Sequence, residues 1–143
     1  MKFRHSLPFF ALFGLSVSTF AEAPLACDVN ALSAPQRERH RALGDRLHSA
    51  VVGRAELANG YTLVLDLGRL PADSAGAPFC VVEVAEWVNL EARCCPFLDF
   101  GIDVSGSGRT VRLRLTGGKG VKSFLKTDLG LAEGSDGFRE RRN

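Results

Sequence analysis

The segment Glu91-Ala92-Arg93-Cys94-Cys95-Pro96-Phe97-Leu98-Asp99-Phe100 concentrates the side chains best suited to chemistry. Glu91 stands three and four residues before two adjacent thiols, so a helix would carry the carboxylate and both sulfurs on one side. A carboxylate one turn from two thiols can take up a proton or complete a metal shell. Two neighbouring thiolates suit a soft ion, because sulfur ligands favour Zn, Cu(I) and similar metals. The location works against free thiolates. Cys94 and Cys95 come just before Pro96, where a helix ends, and the partial negative charge of a helix C-terminus raises a thiol pKa. A metal reverses that by deprotonating the thiols outright, and Arg93 adds positive charge beside them. The plainer reading makes both cysteines small core residues where helix meets strand, with Glu91 paired to an arginine.

Two more ligand types lie upstream. Cys27 stands before the first helix and His40 lies on that helix's apolar face. With Cys94 and Cys95 they would complete a Cys₃His set, a recognised zinc combination, although the spacing is not that of a standard finger. A histidine on an apolar stripe serves equally as a core residue bonded to backbone, and Cys27 can instead join Cys94 or Cys95 in a disulfide. Cys80 is placed on the same helix as Cys94, about 21 Å away along the axis. That distance forbids a bond between them, and Cys80 is expected to pack as a buried thiol.

Other constellations fail. Gly117-Gly118-Lys119-Gly120-Val121-Lys122-Ser123 lacks the Lys-Ser pair directly after its last glycine, so it reads as a turn and not a phosphate loop. His40 and His48 have no identifiable nucleophile or orienting acid, so no Ser-His-Asp set can be placed. Glu83, Glu86 and Glu91 crowd one helix and cannot flank a sugar bond. The chain offers no complete catalytic constellation.

The elements that must position Glu91 and the cysteines follow from periodicity. Ser33, Pro35 and Gln36 start a helix as cap, first-turn proline and capping-box partner. His40, Leu43, Leu47 and Ala50 then share one face, with Arg37, Arg41 and His48 on the other side. From Val51 to Leu67 the period changes to two. Asn59-Gly60 marks a hairpin turn, and a three-residue loop Ala58-Asn59-Gly60 with Gly60 left-handed keeps one face apolar. A helix from about Pro78 to Cys94 or Cys95 follows, with Val81, Val84, Ala85, Val88 and Ala92 as its apolar face. Cys80, Trp87 and Cys94 lie on one flank. The next hairpin alternates Leu98, Phe100, Ile102 and Val104 with polar residues and turns at Ser105–Gly108, pairing Phe100 with Leu113 and Asp99 with Arg114. A last helix over about 118–129 carries Val121, Phe124, Leu125 and Leu129. The order α-ββ-α-ββ-α predicts an α+β, two-layer fold with antiparallel hairpins packed against helices.

The start of the chain reads as an address. Lys2, Arg4 and His5 precede an apolar run from Leu7 to Leu15 and a small-residue exit at Thr19-Phe20-Ala21. This describes a secretory signal peptide over 1–21, and the run is too short to span a bilayer. The organisation expected is a lead segment over 22–32, a single domain over 33–130 and a flexible tail over 131–143. Cleavage after Ala26 would instead lipid-anchor the chain at Cys27, although Pro24 spoils the usual lipidation signal. Without Lys2 and Arg4, sixteen basic residues face sixteen acidic ones. Such a balance, with no basic and aromatic stripe, argues against nucleic acid as a partner. An exported chain, periplasmic or secreted, with four cysteines is expected to form disulfides.

The stretch Glu-x-x-Cys-Cys-Pro-Phe-Leu-x-Phe resembles the signature of a family of small, mostly uncharacterised bacterial proteins. The similarity runs from Cys27-Asp28, through the Arg-Glu-Arg-His40 helix, to the helix after Gly120. It implies a shared fold and a shared Cys-Cys pair and supplies no activity. Related segments resemble parts of proteins linked with heavy-metal responses, which implies soft metals. The signal peptide departs from the family's usual pattern. Three functions follow: binding of a soft metal ion or thiol-reactive ligand through Cys94 and Cys95, with Cys27, His40 and Glu91 as further ligands; a non-catalytic module with structural disulfides that binds an unknown protein partner; or a thiol-disulfide redox protein using a vicinal disulfide.

Overall fold

A computed structural model describes residues 25–128, 130 and 131. The segment expected to be a signal peptide and nearly all of the expected tail lie outside these residues, as does Leu129. A 3-10 turn at Val29–Ala31 leads into α1 (Ala34–Ala50), β1 (Val51–Leu57) and β2 (Gly60–Asp66). A second 3-10 turn (Leu67–Arg69) and a loop lead to α2 (Val81–Cys94), β3 (Leu98–Ser105), β4 (Thr110–Gly117) and α3 (Val121–Asp128). The strands form one antiparallel sheet in the order β1-β2-β4-β3. This is the α+β arrangement of helices and hairpins that the periodicity predicts.

The first helix begins as its residues dictate. Ser33 is the N-cap, its backbone N–H donates to Gln36 Oε1 at 2.9 Å, and Pro35 occupies the first turn. Leu43, Leu47 and Ala50 are buried, the stripe expected of this helix. The two hairpins join through β2 and β4, where Tyr61, Leu63 and Leu65 stand opposite Leu115, Leu113 and Val111. These six side chains and Leu98 of β3 make the sheet's contribution to the core, which buried residues of all three helices and of the connecting segments complete.

Both hairpin registers differ from expectation. In the first, Leu57 faces Gly60 across a two-residue turn at Ala58-Asn59, so Leu63 stands opposite Arg54 and Tyr61 opposite Glu56. A wholly apolar face on β1 is not needed, because β1 is an edge strand and β4 supplies the apolar partners of β2. Glu56 is satisfied by Lys122 of α3, at 2.5 Å. Gly60 is not left-handed. Its role is close approach, since a Cβ there would lie 2.0 Å from the Leu115 carbonyl oxygen. In the second hairpin, Ser105 pairs with Thr110 and Phe100 with Leu115. The turn falls at Gly106–Arg109 because Gly106 and Gly108 take positive φ (63° and 80°). A shift of two residues preserves which face each side chain takes, so the inward set is unchanged.

α2 starts three residues later than expected and is rotated from its expected face. Ala85 is exposed, and the buried residues are Val84, Trp87, Leu90, Glu91 and Cys94. Burying the indole and a leucine removes far more apolar area than burying alanines. That preference carries Glu91 and Cys94 inward with Trp87. Cys80, the expected buried thiol, is instead the exposed N-cap of α2, with its N–H donating to Glu83 Oε2 at 3.1 Å. Among the described residues no helix is long and apolar enough to cross a membrane.

Candidate metal and thiol centre

Three chain segments meet at the C-terminal end of α2. The helix must stop there because Pro96 follows, and Cys95 leaves the helical conformation (φ −124°, ψ 67°) as its C-cap. The orphaned carbonyl of Cys94 accepts a 2.7 Å hydrogen bond from the Asp28 N–H, and Arg93 donates to the Ala31 carbonyl at 2.9 Å. Arg93 therefore fixes the lead segment in place and does not act on the thiols. These bonds hold Cys27 against Cys95, and the two form a disulfide with Cα atoms 4.6 Å apart. Of the two pairings open to Cys27, the structure takes the one with Cys95.

The second segment is α1. His40 Nε2 lies 2.6 Å from Glu91 Oε2, and its ring stacks on the Trp87 indole with centroids 5.8 Å apart and planes 11° from parallel. Trp87 in turn meets Phe100 of β3 edge-on at 6.4 Å. The carboxylate of Glu91 is buried at 4% exposure, and a buried carboxylate must be paired or hydrogen-bonded to be tolerated. Its partner is the imidazole, not the arginine of the plainer reading. The arginines of α1 go elsewhere. Arg39 makes a two-point contact with Glu86, at 2.9 and 2.6 Å, and Arg46 reaches Glu83 at 3.0 Å.

Glu91 also lies against both sulfurs of the Cys94-Cys95 pair. Cys95 Sγ is 3.2 Å from Oε1, Cys94 Sγ is 3.9 Å from Oε2, and the Cys94 and Cys95 sulfurs are 3.8 Å apart. All five residues singled out in the sequence, Cys27, His40, Glu91, Cys94 and Cys95, thus converge. They make two overlapping groups, Cys27-Glu91-Cys95 and His40-Glu91-Cys94, each with donor atoms within 4.8 Å of one another. Around a tetrahedral zinc, bond lengths of 2.0–2.3 Å place ligand atoms about 3.3 to 3.8 Å apart. The sulfur–sulfur and nearer sulfur–carboxylate separations fall near that range, and the His40–Glu91 contact would have to open by under about 1 Å.

The thiols are unequal. Burial pushes the Cys94 thiol up to about 12, and the neighbouring Glu91 carboxylate adds to the shift. A thiol held so firmly protonated is a poor nucleophile. Cys94 therefore suits metal ligation, in which the ion displaces the proton, better than exchange chemistry.

Trp87, which the helical pattern already set on one flank with Cys94, and Asp28 are the site residues to which the sequence assigned no role. Trp87 precedes Glu91 by four residues, a spacing that signals a shared face. Asp28 acts through its backbone and leaves no trace in residue type. A cleft of about 340 Å³, lined by Leu57, Asn59, Phe100, Gly101, Arg114 and Thr116, shares no residue with the cluster. No known family, curated protein or solved structure matches the chain.

Proposed function

We propose that this protein is an exported binder of a soft or borderline metal ion, Zn, Cu(I) or a similar thiophile, through Cys94, Glu91 and His40, joined by Cys95 and Cys27 when their disulfide is reduced. The observation that carries the reading is the convergence of three sulfurs, an imidazole and a buried carboxylate from separate parts of the chain. Core packing alone would place apolar side chains at such a junction, and a buried carboxylate there raises the cost of folding unless it is used. The resemblance of the Cys-Cys-Pro-Phe segment to that of small bacterial proteins, and to parts of proteins linked with heavy-metal responses, supports a thiophilic ligand. Export to the periplasm or medium belongs to the same proposal. It is supported by the charged-then-apolar N-terminus and by a disulfide, which persists in oxidising compartments. A lipid anchor would need the Cys27 sulfur that the disulfide uses, so the proposal is export without an anchor.

The test is metal retention measured by native mass spectrometry and by isothermal titration with Zn(II). Cys94→Ser removes a ligand without touching the disulfide and is expected to lower affinity at least tenfold. Failure of the wild-type protein to bind any thiophilic ion, oxidised or reduced, would refute the reading.

A second reading is favoured by the disulfide itself. If Cys27–Cys95 serves only as a staple, the protein is a non-catalytic module for a protein partner, and Cys94→Ser leaves partner binding unchanged. A thiol-disulfide enzyme is the least supported of the three, because the thiol nearest the disulfide is the protonated, buried Cys94.

A further inference from the structure

We infer that the Cys27–Cys95 disulfide is a redox gate on the proposed metal site, limiting it to the single sulfur of Cys94 while the bond is intact and shifting its preference toward soft ions once an external thiol opens it. The inference rests on the metal reading and adds the regulation and ligand preference of the site. With the bond closed, Cys27 and Cys95 have no lone thiolate to offer. The donors left are His40 Nε2, Glu91 and Cys94 Sγ, which form a complete group by themselves. One nitrogen, one oxygen and one sulfur suit a borderline ion such as Zn(II). With the bond open the site holds three sulfurs in addition to the imidazole and carboxylate, and the preference moves toward soft ions.

The geometry gives the reduction a direction. Cys95 is fully buried, whereas Cys27 is partly exposed on the lead segment ahead of α1. An external thiolate, from a small molecule or a protein, therefore attacks Cys27 Sγ. The sulfur–sulfur bond breaks, Cys95 leaves as the thiolate and takes up a proton, and its S–H then faces Glu91 Oε1, 3.2 Å away. A second external thiol attacks the mixed disulfide and frees the Cys27 thiol. Overall one protein disulfide is reduced and two external thiols are oxidised to one disulfide.

The freed Cys27 need not drift away. The Asp28 N–H bond to the Cys94 carbonyl and the Arg93 bond to the Ala31 carbonyl do not involve the disulfide. They hold the lead segment over the site and keep the third sulfur at high local concentration. A disulfide that only stapled the fold would need neither a third sulfur 3.8 Å from Cys95 nor a carboxylate touching both.

The test titrates the full chain with Cd(II) and Zn(II), once oxidised and once reduced anaerobically with a phosphine. The readouts are the ultraviolet sulfur-to-cadmium charge-transfer band and competition between the ions. The oxidised protein is expected to show the weak band of one thiolate, lost in Cys94→Ser. The reduced protein is expected to show a band about threefold stronger, for three thiolates in place of one, and a Cd-over-Zn preference raised at least tenfold. Cys27→Ser, which cannot close the gate, is expected to give the same spectrum before and after phosphine treatment. Identical bands and preferences in both redox states would overturn the gate and leave the metal reading standing. A disulfide that yields to phosphine only on unfolding would also overturn it. Binding of no ion in either state would overturn the metal reading beneath it.

Discussion

Reduction of the disulfide gives the most quantitative handle on this molecule. Cys27 and Cys95 are 68 residues apart, so the bond closes a loop that takes in α1, β1, β2 and all of α2. The chain-entropy relation for a loop of that length gives about 4 kcal/mol of stabilisation, acting through the unfolded state. Urea unfolding of the oxidised and reduced protein, followed by Trp87 fluorescence, is therefore expected to differ by about 4 kcal/mol. Metal should then offset part of the loss. An ion binding only the folded reduced form, at a free concentration of 100 times its dissociation constant, restores about 2.7 kcal/mol. A difference under about 1 kcal/mol between the two forms would refute the loop argument. A full difference with no recovery on adding Zn(II) or Cd(II) would instead leave the disulfide as a staple alone.

Three further outcomes follow from individual contacts. His40→Ala strips the buried Glu91 carboxylate of its closest partner and is expected to cost about 2 kcal/mol, partly relieved by Glu91→Gln in the same chain; a double-mutant cycle without coupling would contradict the pairing. Gly60→Ala drives a Cβ into the Leu115 carbonyl and should cost about 2 kcal/mol or more, whereas Gly106→Ala, at positive φ over open space, should cost about 1 kcal/mol; thermal melts that reverse this order would show the β2–β4 approach to be wrong. The Cys94 thiol keeps its proton in the folded chain to about pH 12, while in the unfolded chain it loses it near 9. Its contribution to stability is therefore fully present below about pH 9 and is lost progressively as pH rises from there to about 12, and Cys94→Ala should flatten the decline in a pH series of urea midpoints. Iodoacetamide at mildly alkaline pH should accordingly modify the exposed Cys80 and spare Cys94.

The one-dimensional pattern carried the element order and the candidate ligands. Periods of 3.6 and 2 follow from backbone geometry, so Leu43, Leu47 and Ala50, or Val111, Leu113 and Leu115, announce their faces without any neighbour. Cap chemistry is equally local, which is why Ser33, Pro35 and Gln36 marked the start of α1. The adjacency of Cys94 and Cys95, with Glu91 one turn earlier, is likewise written in the chain. What only the tertiary structure decided depends on groups distant in sequence. The rotation of α2 was set by the gain from burying Trp87 and Leu90 against α1 and the sheet, and this turned Glu91 inward to His40 rather than outward to an arginine. The first hairpin's register was set by β4, a strand beginning 44 residues after β2 ends, because β4 supplies the apolar partners that an isolated hairpin would have to find within itself. The choice of Cys95 over Cys94 as partner of Cys27 rests on the lead segment docking by backbone hydrogen bonds across the end of α2. Backbone bonds carry no signature in residue type, so the closure of this site belongs to the fold and not to the motif.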